Sequence, residues 1–457
     1  MKHKRKIYPL PEISPEEKAV IFAKCSRSPL SFSKIAEGIT KEAVENFNKK
    51  WVVNFGHVSV AEHAVVSLAV ENISILATKI IEDNRFASFT EKSTRYQVFE
   101  KDKYYFPAKI KKSEFAGLYK KTIKSLMVFY LKSFDRLFEI VKKETPKKPE
   151  MAEGFYLSQM KARACDIVRS VLPVATLTNL GMTINARSLG HLIVKMLSHP
   201  LEESQRIAEE LKKAAILQLP SLISWTKKND FLIETPLIFE SLVKKYLKKI
   251  KNEYEEVELV DFDQAAENKI IASLFYRTSN ENYQKVYQRI KKIGQKEKIK
   301  ILEKIMVKKK SNEPPPREFE QIYYTFDILI DFGAFRDLQR HRVCTQVNQE
   351  LTNRYGYQTS DEIKKYGLEK EFRKKMEEAS LAYKKISKKF PKEAQYILPL
   401  AFRKRFMMKL NLRELFYLVP LRTSVMGHAS YRRVVQKMYD QVERVHPGLA
   451  KFIKVFK

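Results

Sequence analysis

The chain repeats itself, and that repetition constrains the fold more than any local pattern, because mistaking two copies of a unit for one large domain would misread the whole architecture. Arg85-Phe86-Ala87-Ser88 leads to Glu91-Lys92-Ser93-Thr94-Arg95-Tyr96, while Arg342-Val343-Cys344-Thr345 leads to Glu350-Leu351-Thr352-Asn353-Arg354-Tyr355. Both read Arg, two apolar or small residues, a hydroxyl, then Glu-x-hydroxyl-x-Arg-Tyr. The downstream parts also match: Asn185-Ala186-Arg187 follows Leu172-Pro173 as Asn411-Leu412-Arg413 follows Leu398-Pro399, with the same spacing from Pro to Asn.

Before each arginine lies an alternating apolar segment, residues 64 to 75 and 323 to 331, which reads as a strand passing into a helix. The expected fold class is therefore α/β (α+β), a tandem duplication with each unit a small sheet flanked by long helices. We set the units at 1 to 225 and 226 to 457. Residues 227 to 256 have helical spacing and suit a connecting helix, while Pro314-Pro315-Pro316 forces an extended break. Residues 111 to 148 and 361 to 392 have the charge pattern of amphipathic helices, expected to lie as solvent-facing layers over a sheet.

With 457 residues, 44% of them hydrophobic, the chain can bury more core than one ordinary domain needs. It lacks a long uncharged apolar run, so a soluble, cytoplasmic protein with no membrane association is expected. Its three cysteines, Cys25, Cys165 and Cys344, have neither disulfide nor zinc spacing and read as small buried apolar residues. The net charge of +32 attracts anions of any kind. Lysines are spread along the whole chain, which argues for solvated helix faces before it argues for nucleic acid. Lys244-Lys245-Tyr246-Leu247-Lys248-Lys249 comes nearest to a nucleic-acid stretch, but its apolar residues at helical spacing read more simply as a core face.

Two clusters carry chemistry. Arg340-His341-Arg342 ends a helical stretch, and two guanidiniums with an imidazole in one turn can bind a pyrophosphate or a flavin edge. Gly56-His57-Val58-Ser59-Val60-Ala61-Glu62-His63 precedes the first strand. Its histidines stand six apart, which matches no helical ligand spacing, so no metal site is expected.

Together, the Gly56-His57-x-Ser59-x-x-Glu62-His63 segment, the Arg-His-Arg turn, the Glu-x-hydroxyl-x-Arg-Tyr loop, the Leu-Pro and Asn-x-Arg elements and Leu421-Arg422 resemble the flavin-dependent thymidylate synthases. The resemblance extends over most of both halves. It implies FAD-dependent reductive methylation of dUMP to dTMP, with methylenetetrahydrofolate as carbon donor and NADPH as reductant. It also implies an assembly of four repeats, which a homodimer of this chain would reproduce. The alternative is a catalytically inactive paralogue that keeps flavin, nucleotide or nucleic-acid affinity.

Neither copy matches the family pattern in full. The first has Asp83-Asn84-Arg85 in place of Arg-His-Arg and Met196 in place of Arg422, whereas the second has Gln395 in place of Arg169 and a proline-rich stretch in place of the Gly-His element. What the resemblance implies for dUMP is a grip shared between units, with Ser93, Arg95 and Arg169 from the first copy and Arg340 and Arg422 from the second, Arg422 also acting on the pyrimidine. For the cofactor it implies Ser59, Glu91, Asn185, Arg187 and His191 in the first copy, with Arg340, His341, Arg342, Asn411 and Arg413 in the second. The complementary losses suggest one working site split between unequal halves.

Overall fold

The computed structural model describes residues 5–247, 255–310 and 313–456. Its strands are Val65–Ser74 (β1), Ala87–Glu91 (β2), Leu177–Asn185 (β3), Val257–Phe262 (β4), Tyr323–Asp331 (β5), Thr345–Asn348 (β6) and Arg403–Asn411 (β7). They form two antiparallel sheets in the orders β1-β3-β2 and β4-β5-β7-β6. The second sheet thus repeats the first and adds β4 at one edge.

The duplication extends to the helix starts. Ser74 and Asp331 each accept a hydrogen bond from the third residue of the following helix, Ile75–Ile81 and Phe332–Gln339. Asn185 and Asn411 do the same for Ala186–Leu197 and Leu412–Thr423. Short polar side chains at these points satisfy amides that the first helical turn leaves without partners. Asn185 and Asn411, expected at the cofactor, are therefore helix caps.

Strand register corrects one equivalence drawn from sequence. Ser88 pairs with Thr183 and Thr345 with Lys409, which are corresponding positions of β3 and β7. Asn348 is therefore the counterpart of Glu91, and the two extra residues of the second copy fall after β6, carrying Glu350 off the strand to pair with Lys392.

The repeats join through their Leu-Pro elements. Pro173 bridges Pro399 in antiparallel fashion. Around them Val174 N donates to Leu398 O (2.9 Å), Ala175 N to Tyr396 O (3.1 Å) and Leu400 N to Leu172 O (2.8 Å). A segment that pairs with its own repeat counterpart makes an isologous contact, as in a two-fold dimer.

The long charged helices differ from expectation. Ala116–Glu144 and Glu369–Ile386 pack on one another across the repeats, with Tyr119, Ile123, Met127, Phe372, Met376 and Ile386 in one core common to both halves. Their apolar stripes face each other because that buries two faces in one contact. The connecting segment contains the helix Asp230–Tyr246, none of whose residues is buried; Tyr246 and Leu247 are exposed, so the expected core face is not formed there. Lys248 and Lys249 lie outside the described residues. Cys165 and Cys344 are buried and Cys25 is partly so.

A buried ionic cluster also spans the repeats. Arg336 donates to Glu91 Oε1 (2.8 Å) and to Thr94 (3.3 Å), and Lys79 donates to Glu91 Oε2 (3.2 Å) and to Glu82. Burial alone would raise the Glu91 carboxyl, but Arg336 and Lys79 outweigh it and hold the group at about 2 against an ordinary 4.5. Both Glu91 oxygens are occupied, which corrects the expectation that it reaches a cofactor. Because its folded-state pKa is depressed, the stability it contributes is complete above pH 4.5 and is lost as pH falls towards 2. Glu91→Gln should leave Arg336 uncompensated and cost roughly 3–5 kcal/mol in denaturant unfolding at neutral pH. The difference from the unsubstituted chain should shrink on acidification through that window.

Candidate active site

The ladder fixes the position of the functional arginines. Arg169 opens the turn Arg169–Val171 that leads directly into Leu172-Pro173, so joining the ladder carries its guanidinium to the second repeat. There Nη2 lies 3.8 Å from Asp337 Oδ2, and Nε lies 3.5 Å from Asp166 of its own repeat. Asp166 also accepts two 2.8 Å hydrogen bonds from Arg95, a bidentate pair. Arg422 reaches the same Asp337 from the other side at 3.8 Å. Arg95 and Arg169 of the first repeat and Arg422 of the second thus converge through two aspartates.

Burial would raise both aspartates, but the guanidiniums prevail. Arg169, Arg340 and Arg422 hold Asp337 below its ordinary value, and Arg169 with Arg95 does so for Asp166. His428, beside Asp166, is pushed down to about 4 by burial and by Arg169, so it is neutral at physiological pH. Ser93 turns its hydroxyl back to accept from Arg95 N (3.1 Å), shaping the loop that presents that arginine.

Arg169 is only 4% exposed, yet its Nη2 has no hydrogen-bond partner among the described residues. Arg340 is exposed and has neither hydrogen bond nor ion pair there for its guanidinium. Four guanidiniums, Arg95, Arg169, Arg340 and Arg422, face two carboxylates, Asp166 and Asp337. Among these six groups that leaves two positive charges, which would balance the two negative charges of a phosphate monoester dianion.

His341 is held on both sides. Arg422 Nε donates to its Nε2 (2.9 Å), so the proton is on Nδ1, which donates to Glu414 Oε1 (2.8 Å). Burial is the main reason its pKa is lowered. Both ring nitrogens, expected at the cofactor, are thus engaged within the chain, and the contact fixes the Arg422 side chain. The first repeat keeps a weaker form of the contact, Asn84 Nδ2 to Ser188 O at 3.1 Å.

Beside this cluster opens a cleft of about 560 Å³ lined by Arg340, Arg342, Tyr417, Leu421 and, from the first repeat, Arg85 and Phe86. Arg342 has a buried Nε without a partner among the described residues, and its guanidinium lies over the Phe89 ring. Cations and rings on one wall suit a flat heteroaromatic anion.

The other expected residues do not gather here. Arg187 pairs with Glu62 at 2.5 Å, and Arg413 pairs with Glu320 at 2.9 Å while donating to Pro315 O. The same Arg-Glu pair thus ties a helix to the turn before the strand in both repeats, and Glu320 preserves in the proline-rich stretch what Glu62 does in the first copy. Ser59 lines a separate cleft of about 120 Å³ with Trp51 and His57, and Gly56, just before His57, turns the backbone at a positive φ of 74°. His191 is exposed on the helix Ala186–Leu197. Sequence reasoning missed Asp166 and Glu414, although the Asp166-x-x-Arg169 spacing is an i,i+3 pair on a helix end.

The sequence profile of the thymidylate synthase complementing protein family matches twice, over residues 11–221 and 258–448. A UPF0159 protein of Chlamydia muridarum is 33% identical over 433 residues, covering 91% of this chain and 82% of its own length. One from Thermoplasma acidophilum is 29% identical over 457 residues, covering 93% and 91%. A flavin-dependent thymidylate synthase of Clostridium tetani is 25% identical over 176 residues, 38% of this chain and 67% of the relative. Among the described residues there is no helix long and apolar enough to cross a membrane and no His, Cys, Asp and Glu cluster suited to a metal.

The His341 contacts give a spectroscopic prediction. Nitrogen chemical shifts of its imidazole should report the neutral Nδ1–H form at pH 6.5 and above, with titration only below the ordinary value of 6.5.

Proposed function

The chain belongs to the thymidylate synthase complementing protein family, and on that premise we propose that it is a cytoplasmic flavin-dependent thymidylate synthase with one composite site drawn from both repeats. Its substrates are dUMP, methylenetetrahydrofolate and NADPH. The observation that carries the proposal is the meeting of Arg169 and Arg422, from different repeats, at Asp337, with Arg340 beside them and without an ion pair among the described residues.

The excess of two positive charges matches the dUMP phosphate. Arg95, Arg169 and Arg340 are the donors for it, with Ser93 on the same loop as Arg95. Such charge-assisted hydrogen bonds contribute about 1.5–3 kcal/mol each. Arg422, aimed by His341 and Glu414, is assigned to the pyrimidine, where a fixed guanidinium stabilises negative charge that develops on the ring. Because His341 is neutral, it adds no competing positive charge and leaves Arg422 the cation at that point.

The 560 Å³ cleft fits the flavin in kind: Arg342 and Arg85 for its phosphates, Phe86 and Tyr417 for its ring. When bound, the FAD supplies hydride transfer. The residues of the chain orient the nucleotide, hold its charge and keep Arg422 at the pyrimidine. A homodimer accompanies this reading, because it supplies the four repeats that the resemblance implies.

Two measurements test the proposal. Purified protein should show flavin absorbance, or gain it on adding FAD, and should form dTMP from dUMP and the folate donor; a chain that takes up no flavin would sink the reading. Arg422→Ala should cut dUMP-dependent turnover at least about a hundredfold while flavin stays bound. Unchanged turnover in that variant would remove the shared site.

A further inference from the structure

Duplication leaves a second cleft in the position symmetric to the arginine cluster. By the repeat register, Ile80 stands for Asp337, Asp83 for Arg340 and Gln395 for Arg169, and all three line a cleft of about 210 Å³ between the halves. The arginines are gone, but the cleft is neither closed nor neutral. Of four lysines on its wall, Lys79 pairs with Glu82 and Glu91, Lys195 with Asp83, and Lys392 with Glu240 and Glu350. Lys404 has no hydrogen bond or ion pair among the described residues, and its ammonium lies 4.7 Å from the centre of the Phe335 ring and 5.7 Å from that of Phe332.

Gln339 is a second, independent pointer. It is 4% exposed; its Nε2 donates to Lys79 O at 2.8 Å, which fixes the amide, and its Oε1 is left without a partner in the cleft wall. A buried acceptor of this kind costs about 1–3 kcal/mol unless something donates to it. The cleft therefore offers a cation without an ion pair of its own, since the lining carboxylates Asp83 and Glu350, which face it at longer range, are held by Lys195 and Lys392; it also offers an acceptor without a donor, and an apolar side built by Leu76, Ile80 and two phenylalanines.

We propose that this cleft is a second nucleotide site, binding a pyrimidine nucleoside monophosphate with its phosphate on Lys404 and its ring N–H on Gln339 Oε1. The inference rests on the nucleotide reading of the first site, from which the second cleft derives by duplication. Without the arginine set the cleft holds nucleotide but has no group to act on the pyrimidine, so it binds without turning over. Burial brings the Lys404 ammonium down to about 8, the penalty that an incoming anion relieves.

Equilibrium dialysis of labelled dUMP or dTMP against the full chain tests this. The unsubstituted protein should bind two equivalents. Lys404→Met, which keeps the packing on both rings, should weaken one of them roughly tenfold or more. Asn348→Trp, which fills the cleft from its exposed rim, should remove the same equivalent, and Arg340→Ala, at an exposed donor assigned to the dUMP phosphate, should weaken the other. A single equivalent, weakened in Arg340→Ala and untouched by Lys404→Met and Asn348→Trp, overturns the second site and leaves the proposed function standing. A single equivalent lost in the two cleft variants and unchanged in Arg340→Ala supports the second site and removes the phosphate role given to Arg340.

Discussion

The short antiparallel ladder between Leu172-Pro173 and Leu398-Pro399 is the contact from which the rest of the molecule follows. It is made by one segment pairing with its own copy, so it sets the two repeats in an approximately two-fold relation. Arg169 stands immediately before it, and its delivery to Asp337 depends on that pairing. The same relation lets the helices Ala116–Glu144 and Glu369–Ile386 bury their apolar faces on each other, so one core is common to both repeats, beside a second cluster that lies wholly within the first.

Within this symmetric frame the copies have diverged by exchanging polar partners, not by discarding them. In the first repeat the helix cap is Ser74 and a buried carboxylate, Glu203, accepts its hydroxyl proton; in the second the cap is the carboxylate, Asp331, and the hydroxyl is Ser430. Glu91 meets Arg336 across the repeats, whereas its register counterpart Asn348 lies at an exposed rim. Each exchange keeps buried donors matched to acceptors, because an unpaired one costs more than a rearranged pair. Around the two clefts, Arg169 Nη2 and Arg342 Nε on one side and Gln339 Oε1 on the other are among the buried groups that have no hydrogen-bond partner among the described residues.

Much of this was legible in the chain. Strand alternation located β1 and β5, and the repeated spacing from Pro to Asn marked as equivalent two positions that the structure shows to be helix caps. The arginines expected to share a substrate do converge. The expected cofactor residues were less legible, because Asn185, Asn411, Arg187 and Arg413 recur for reasons of folding: they cap helices and anchor them to the preceding turn. Recurrence in two copies marks a constraint without saying whether packing or ligand binding imposes it.

Sequence by itself determined that there are two units and where β1 and β5 lie, which are properties of order and spacing along one chain; the complementary losses came from setting both copies against the family pattern they resemble. Tertiary structure decided which atoms remain free. His341 and Glu91 read as ligand contacts until their partners, Arg422 and Glu414 for one and Arg336 and Lys79 for the other, are brought from distant segments. A side chain's chemistry depends on which neighbours satisfy its polar atoms, and those neighbours are chosen by packing between repeats, not by adjacency in the chain.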